Sequence, residues 1–327
     1  MSSRSLVVLG TASQVPTRHR NHNGYFVSWD GFGVLFDPGE GTQRQMELYG
    51  VASSDIHHVA VTHFHGDHCL GLPGLLQRFH GDRVAHSVTV TYPGSGQRWF
   101  DHLEDACIYE RVVQVNNNPL VGEGPITSDL KPGMRLIARQ LDHRVETWGY
   151  RLQEDDGVRF DREALAAAGV AGKAVGQLLR EGEVTVGDRV VRLEEVSSPH
   201  AGQSFAFVMD TRPCAGALAL AKDVDLLVIE STFLAPEAEL ARKYGHLTAT
   251  EAARIAVEAG AKRVVLAHFS RRYGDPTAFA REAGALHPHV HVANDGDRIA
   301  FATQRLPTAD VVLQSGGLGT IETSRRT

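Results

Sequence analysis

Cysteine is nearly absent from this chain. Cys69, Cys107 and Cys214 are three in 327 residues, widely spaced and with no C-x-x-C. Such an odd, sparse set excludes a disulfide framework and points to a reducing, cytoplasmic compartment, with each cysteine a small buried residue. Long hydrophobic runs are missing too. Leu6–Leu9 and Val264–Ala267 are among the longest, far short of the roughly 20 apolar residues that span a bilayer, so no membrane association is expected. Met1–Gly10 carries one Arg and a four-residue apolar stretch, too short for the core of a secretory signal. Positive charge is not in excess, since the formal net charge is −6. A polyanion would have to be met by local positive charge or by bound metal ions. No repeat, low-complexity tract or coiled coil is evident.

What remains is ordinary for a folded protein, 42% hydrophobic and 22% charged, and the length suits one large α/β domain or two modest ones. Short apolar stretches read as strands: Ser5–Gly10, Tyr25–Asp30, Gly33–Asp37, His57–Thr62, Val88–Tyr92, Ser204–Met209, Asp225–Glu230 and Arg263–His268. Asp30-Gly31 is a turn signal, and Asp37-Pro38-Gly39 ends its strand sharply. Helices are expected from about Leu72, around Gln97–Asp105, and after Thr248, where Thr248-x-x-Glu251 has capping-box spacing and Gly260 supplies a stop. Strands alternating with helices argue an α/β fold. Residues 151–197 differ: glycines recur, acidic residues outnumber basic ones, and charge alternates with short apolar stretches. We read them as an inserted arm between 1–150 and 198–305, with 306–327 as a frayed tail.

Histidine is abundant, 17 residues. Most, such as His19, His102 and His200, follow no pattern and read as exposed or capping residues. The exception is His63-x-His65-x-Asp67-His68, four potential ligands within six residues at a strand end, with Gly66 permitting a tight turn. Imidazole and carboxylate without cysteine is the donor set of a catalytic zinc site that keeps a position open for water. His143, Asp210 and His268 each end another strand-like segment, where ligands collect in α/β folds. Seven candidates exceed what one ion needs, so two divalent ions, zinc above all, are expected, with Asp210 as the natural bridge. Two cations about 3.5–4 Å apart lower the pKa of a bridging water and stabilise an in-line transition state.

These residues resemble the metallo-β-lactamase superfamily, whose signature is the His-x-His-x-Asp-His loop. The resemblance narrows to the ribonuclease Z family, the endonucleases that mature tRNA 3′ ends. It runs to about residue 305 and includes Leu9-Gly10-Thr11, Pro16-Thr17-Arg18-His19-Arg20-Asn21, Phe36–Gln43, Gly71–Leu75, Asp210-Thr211-Arg212, Glu230–Phe233, Gly245-His246-Leu247-Thr248 and His268–Tyr273. It implies an αββα sandwich with an inserted flexible arm. It also implies one ion held by His63, His65, His143 and Asp210, and a second held by Asp67, His68, Asp210 and His268. Asp67 would orient or deprotonate the attacking water, and His246, backed by Glu230, would protonate the leaving oxygen. The products would be a 3′-hydroxyl on tRNA and a 5′-phosphate on the trailer. The same resemblance implies a homodimer in which one subunit's arm serves the other's active site. Substrate contacts would come from Arg18, Arg20 and Asn21, from Lys173 and Arg180 in the arm, and from Arg271 and Arg272. The arm departs from the family pattern in being net acidic and in having Gly172-Lys173 at its tip, whereas gripping phosphates needs Lys or Arg.

Two other readings stand beside precursor tRNA processing. One is a superfamily hydrolase of a small phosphodiester, sulfate ester, lactam or thioester. The other is a catalytically silent RNA-binding relative, against which the intact ligand set argues.

Overall fold

The computed structural model describes residues 4–126 and 130–301; the expected tail, 306–327, lies outside the described residues. Three antiparallel strands open the chain, β1 (Arg4–Gly10), β2 (Gly24–Trp29) and β3 (Phe32–Phe36). Asp30 and Gly31, at φ 50° and 85°, form the turn between β2 and β3. Positive φ at both positions matches the turn's twist to its strands, and Asp-Gly tolerates it. Then follow α1 (Thr42–Tyr49), β4 (Ile56–Ala60), α2 (Gly66–Cys69), α3 (Leu72–Gly81), β5 (Val88–Pro93), α4 (Gln97–Glu104) and β6 (Val115–Leu120). From β3 to β6 the pairing is parallel, as helical crossovers require.

The second sheet begins with β7 (Gly124–Pro125), β8 (Met134–Leu141) and β9 (Thr147–Glu154). An insertion interrupts it: β10 (Gly157–Phe160), α5 (Arg162–Ala167), α6 (Lys173–Glu181), β11 (Glu183–Val186), β12 (Arg189–Arg192) and β13 (Ser197–His200). The chain returns through β14 (Ser204–Val208), α7 (Ala215–Ala221), β15 (Leu226–Glu230), α8 (Ala238–Tyr244), α9 (Ala249–Glu258), β16 (Val264–Ala267), α10 (Thr277–Gly284), β17 (Val290–Val292) and β18 (Arg298–Ala300). Each large sheet has seven strands, in the orders β18-β1-β2-β3-β4-β5-β6 and β17-β16-β15-β14-β9-β8-β7.

Strand alternation divides the core into layers. Leu6, Val8, Tyr25 and Val27 of one sheet meet Leu136, Tyr150, Phe205 and Phe207 of the other. Val7, Leu9 and Leu35 face α1 and α3 through Met46, Leu72 and Leu75. Ala206, Val208, Leu227 and Ile229 face α7 and α9 through Leu220, Ala252 and Ala253. The result is the expected helix–sheet–sheet–helix sandwich. As anticipated, α9 starts at a capping box, the Thr248 hydroxyl accepting from the Glu251 amide and the Glu251 carboxylate accepting from the Thr248 amide. Among the described residues, no helix is long and apolar enough to cross a membrane.

The insertion has its own small core of Val170, Leu178, Val184, Val191 and Val196. Its root is a two-stranded ribbon, with β10 paired to β13 from Gly157↔His200 to Phe160↔Ser197. Its bounds are therefore 157–200, not 151–197: Arg151–Glu154 still pair with β8 and β14 in the main sheet.

Candidate metal centre

Loops leaving the ends of β3, β4, β8, β14, β15 and β16 converge on one rim. They deliver Asp37, His63, His65, His143, Asp210 and His268, while β15 ends in Glu230 and α2 supplies Asp67 and His68. The turns out of these strands are abrupt. Asp37, Asp210 and His268 have φ of 45°, 53° and 61°. Non-glycine residues rarely adopt that left-handed backbone, and it concentrates at functional sites.

Three groups of donor atoms result. His63, His65, His143 and Asp210 form one, Asp67, His68 and His268 form the second, and the third, Asp210, His246 and His268, shares two members with the others. Asp210 faces both of the first two. Its Oδ2 lies 3.5 Å from His63 Nε2 and 3.7 Å from His143 Nε2. Its Oδ1 lies 3.5 Å from His68 Nε2 and 3.1 Å from His268 Nε2. Asp67 Oδ2 completes the second group, 3.4 Å from His68 Nε2 and 3.5 Å from His268 Nε2. Ligands about 2.0–2.1 Å from a tetrahedral ion stand roughly 3.3–3.4 Å apart, close to these separations. Asp210 Oδ1 and His268 Nε2 are buried without a hydrogen-bond partner. Such orphaned atoms are costly unless an ion satisfies them. The donor set and its geometry thus suit divalent metal ions.

The outward nitrogens of four imidazoles are held. Nδ1 of His63 meets Thr62 Oγ1 at 2.9 Å, and Nδ1 of His143 donates to the Gly245 carbonyl at 2.7 Å. Nδ1 of His68 donates to Asp37 at 2.7 Å, and Nδ1 of His268 meets Thr232 Oγ1 at 2.7 Å. Each contact leaves Nε2 to face the centre, the arrangement that orients metal-binding histidines. Gly245, at φ 83°, makes its close approach because a Cβ there would lie 2.7 Å from His143 Nδ1.

Electrostatics follow from burial. Desolvation pushes His63, His65 and His143 below the ordinary histidine range, so they present neutral rings, the form that binds metal. Burial alone would raise the Asp210 and Asp67 carboxyls, but the surrounding histidines hold both well below the carboxylate range. His246 borders the centre. Its Nδ1 lies 3.1 Å from one Glu230 oxygen and 3.2 Å from the other. Burial opposes its charge, yet Glu230 and Asp210 outweigh burial and push it up to about 9. Glu230, wholly buried, also accepts from the Thr211 amide and the Thr232 hydroxyl, both at 2.6 Å.

The seven candidate ligands, His246 and Glu230 therefore meet in one place. The candidate substrate-binding residues do not behave alike. Arg18, Arg271 and Arg272 lie toward solvent, as do Lys173 and Arg180 on the insertion. Arg20 and Asn21 do not fit the expectation of free phosphate contacts. Arg20 turns inward, donating to Thr11 Oγ1 at 2.7 Å and the Ala293 carbonyl at 3.0 Å, with its guanidinium over the Phe269 ring. Asn21 donates through its side chain to the Glu40 carbonyl and through its amide to Asp295. The structure adds Asp37, Thr62 and Thr232, which the sequence pattern does not single out as site residues. Asp37 carries a signal, because it ends a strand as the ligands do.

Residues 17–133 match the family model described as the metallo-beta-lactamase superfamily, and residues 100–269 match the beta-lactamase superfamily domain. Over 297 residues the chain is 55% identical to the ribonuclease Z of Streptomyces avermitilis, covering 90% of this chain and 97% of that one. It is 43% identical to the ribonuclease Z of Chlamydia muridarum over 295 residues, 90% and 96% of the two chains. Human tRNase Z, short form, superposes with a TM-score of 0.66 at 22% identity over 91% of this chain and all of that one. A diphosphatase of the PhnP family superposes at 0.61 with 19% identity, over 92% and 98%. Likeness at such identities speaks for the fold, which hosts more than one chemistry.

Proposed function

The chain belongs to the ribonuclease Z family of the metallo-beta-lactamase superfamily, and from that premise we propose how its residues remove the 3′ trailer from precursor tRNA. It is a metal-dependent endoribonuclease that processes tRNA 3′ ends. The observation that carries the mechanism is the Asp210 carboxylate, whose two oxygens face separate groups of ligands. His63, His65, His143 and Asp210 would hold one ion, and Asp67, His68, Asp210 and His268 a second. Zinc suits this nitrogen- and oxygen-donor set. Such a pair supplies Lewis acidity to the attacking water and to the phosphoryl oxygens.

The chain's own groups do the rest. Asp67 orients the attacking water and accepts its proton. His246, held by Glu230 at Nδ1, turns Nε2 toward the leaving 3′ oxygen of tRNA and donates a proton there. The products are a 3′-hydroxyl on tRNA and a 5′-phosphate on the trailer. Arg18, Arg271 and Arg272, with Lys173 and Arg180 on the insertion, would contact the tRNA backbone; the exposure of Lys173 and Arg180 on a segment with its own core supports reading 157–200 as the tRNA-binding arm. The free cysteines suit a cytoplasmic protein.

The test is incubation of the full chain with precursor tRNA, with and without chelator. Discrete cleavage at the discriminator base that chelation abolishes and zinc restores is the expected result. Hydrolysis of small esters without cleavage of precursor tRNA would overturn the RNA-processing reading.

A further inference from the structure

The loop of residues 11–22 joins β1 to β2 and runs past the ligands. Its Gln14 amide donates to Asp67 Oδ2 at 2.7 Å. Gln14 sits at φ 52°, a conformation that persists only where the surroundings enforce it. Those surroundings are specific. The Gln14 carbonyl meets His22 Nε2 at 3.1 Å. Ser13 and Thr11 exchange backbone hydrogen bonds with Phe269, the residue after His268: Ser13 N to Phe269 O at 3.1 Å and Phe269 N to Thr11 O at 2.9 Å.

Both ends of the loop close on one half-buried carboxylate. Asp295 accepts from Thr11 Oγ1 at 2.8 Å, from the Asn21 amide at 2.6 Å and from Gln45 Nε2 at 3.3 Å. Arg20 locks the same junction, because its Nη1 reaches Thr11 Oγ1 and the Ala293 carbonyl while its guanidinium covers Phe269, 4.6 Å from the ring centroid. We infer that Arg20 and Asp295 are positioning residues for Asp67: they close the base of the 11–22 loop and thereby aim the Gln14 amide at the Asp67 oxygen. The inference rests on the reading of Asp67 as the group that orients the attacking water. Asp67 Oδ2 also faces His68 and His268. An amide that pins this oxygen therefore fixes the alignment of the water, where a displacement of about 1 Å costs on the order of a hundredfold in rate.

This role differs measurably from phosphate binding. A residue that binds phosphate acts on affinity for the polyanion and on its salt dependence. A positioning residue acts on turnover, whatever the size of the substrate. The experiment compares zinc-loaded, full-length wild type with Arg20→Met, Asp295→Asn and the double variant. Steady-state kinetics are measured on precursor tRNA and on bis(p-nitrophenyl) phosphate, with circular dichroism and zinc content recorded for each protein. Met keeps an apolar stem over Phe269 but loses the hydrogen bonds; Asn keeps the size of Asp295 and loses its charge.

The expected result is a kcat lower by roughly 10–100-fold on both substrates, KM within about twofold of wild type, and a double variant no worse than the weaker single, since both act through one loop. A variant that keeps kcat on both substrates and raises only KM for precursor tRNA overturns the inference, and so do losses that multiply in the double variant. Should Arg20→Met fail to fold, Asp295→Asn is judged by the same kcat and KM criterion. Wild type that hydrolyses the small diester but leaves precursor tRNA intact defeats the RNA-processing reading instead, and the positioning role is then decided on the diester alone.

Discussion

Asp37 and His68, both wholly buried, meet at 2.7 Å through Oδ2 and Nδ1. Asp37 is itself pinned by the Thr62 amide at 2.7 Å and the Thr62 hydroxyl at 2.8 Å, so the strand end at Phe36 dictates which way His68 points. A carboxylate behind an imidazole fixes its tautomer and raises its basicity as a ligand. Asp37→Asn should therefore weaken metal binding by roughly 10–100-fold. Competition against a chelating dye measures it, and activity that disappears at limiting zinc should return at excess. Unchanged affinity would remove Asp37 from the site.

His65 offers Nδ1 to the centre, 2.8 Å from His63 Nε2 and 3.4 Å from His143 Nε2. It is more exposed than His63 or His68, so removing it disturbs packing least. His65→Ala should cut turnover on precursor tRNA by more than the roughly hundredfold typical of removing a group that only supports a ligand. Far-ultraviolet circular dichroism should stay unchanged, and zinc content should fall. Turnover near wild type would exclude His65 as a ligand.

His246 separates two kinds of substrate. A general acid contributes about 10²–10⁴-fold when the leaving oxygen needs a proton, and far less when the leaving group is already a stable anion. His246→Ala should therefore lose about that factor in kcat on precursor tRNA, while hydrolysis of bis(p-nitrophenyl) phosphate stays within roughly tenfold. Equal losses on both substrates would assign His246 to metal binding or packing. That alternative is concrete, because the Nδ1 of His246 is 4.0 Å from Asp210.

The candidate ligands stand out in the sequence because chemistry and backbone coincide: a dense His/Asp loop at one strand end, and single His or Asp residues closing three more. Asp37 closes a strand too, but Asp-Pro-Gly reads as a simple terminator, and only the three-dimensional structure brings it behind His68. Arg20 misleads for a related reason. In sequence an arginine among polar neighbours looks like surface, and its role emerges only when Thr11, Ala293 and Phe269 surround it. Helix α7, Ala-Gly-Ala-Leu-Ala-Leu-Ala, lacks a polar face and a capping side chain, so periodicity does not reveal it; packing against β8 and β14 makes it. The near edge of the insertion is misplaced from sequence because Arg151, Gln153 and Glu154 look like a charged segment. Only the burial of Leu152 between them marks them as an alternating strand.

The insertion joins the sandwich at one narrow root, so its removal should leave the sandwich closed. Gly157 and His200 are paired neighbours at its root, and its core does not merge with the others. Replacing 157–200 with a short Gly-Ser turn should leave hydrolysis of a small phosphodiester within about threefold. It should also raise KM for precursor tRNA and flatten the logarithmic salt dependence of binding. The slope should change by about 0.9 for each phosphate no longer neutralised, or less where the RNA is single-stranded. A parallel loss on both substrates would make the insertion part of the catalytic body.

A last prediction concerns acid stability and a histidine away from the centre. His58 on β4 is buried, with Nε2 2.9 Å from Thr91 Oγ1. That hydroxyl already accepts from the Asn118 amide at 3.0 Å and keeps its own hydrogen for His58, which suits a neutral ring. Burial lowers the His58 pKa from 6.5 to about 3. A histidine depressed in the folded state contributes stability that is present above its unfolded pKa and lost as pH falls toward the folded one. The unfolded chain takes up the proton first. Between pH 6.5 and about 3 this one group should erode stability by about 1.4 kcal/mol per pH unit once below the unfolded pKa. His58→Gln, which still hydrogen-bonds but does not titrate, should remove that slope. Urea unfolding of metal-free wild type and variant from pH 7.5 to 4.5 isolates the effect, because no ions remain to be released by acid. Parallel stability curves across that range would mean that His58 is protonated inside the fold, and that the polar pocket of Thr91 and Asn118 accommodates its charge.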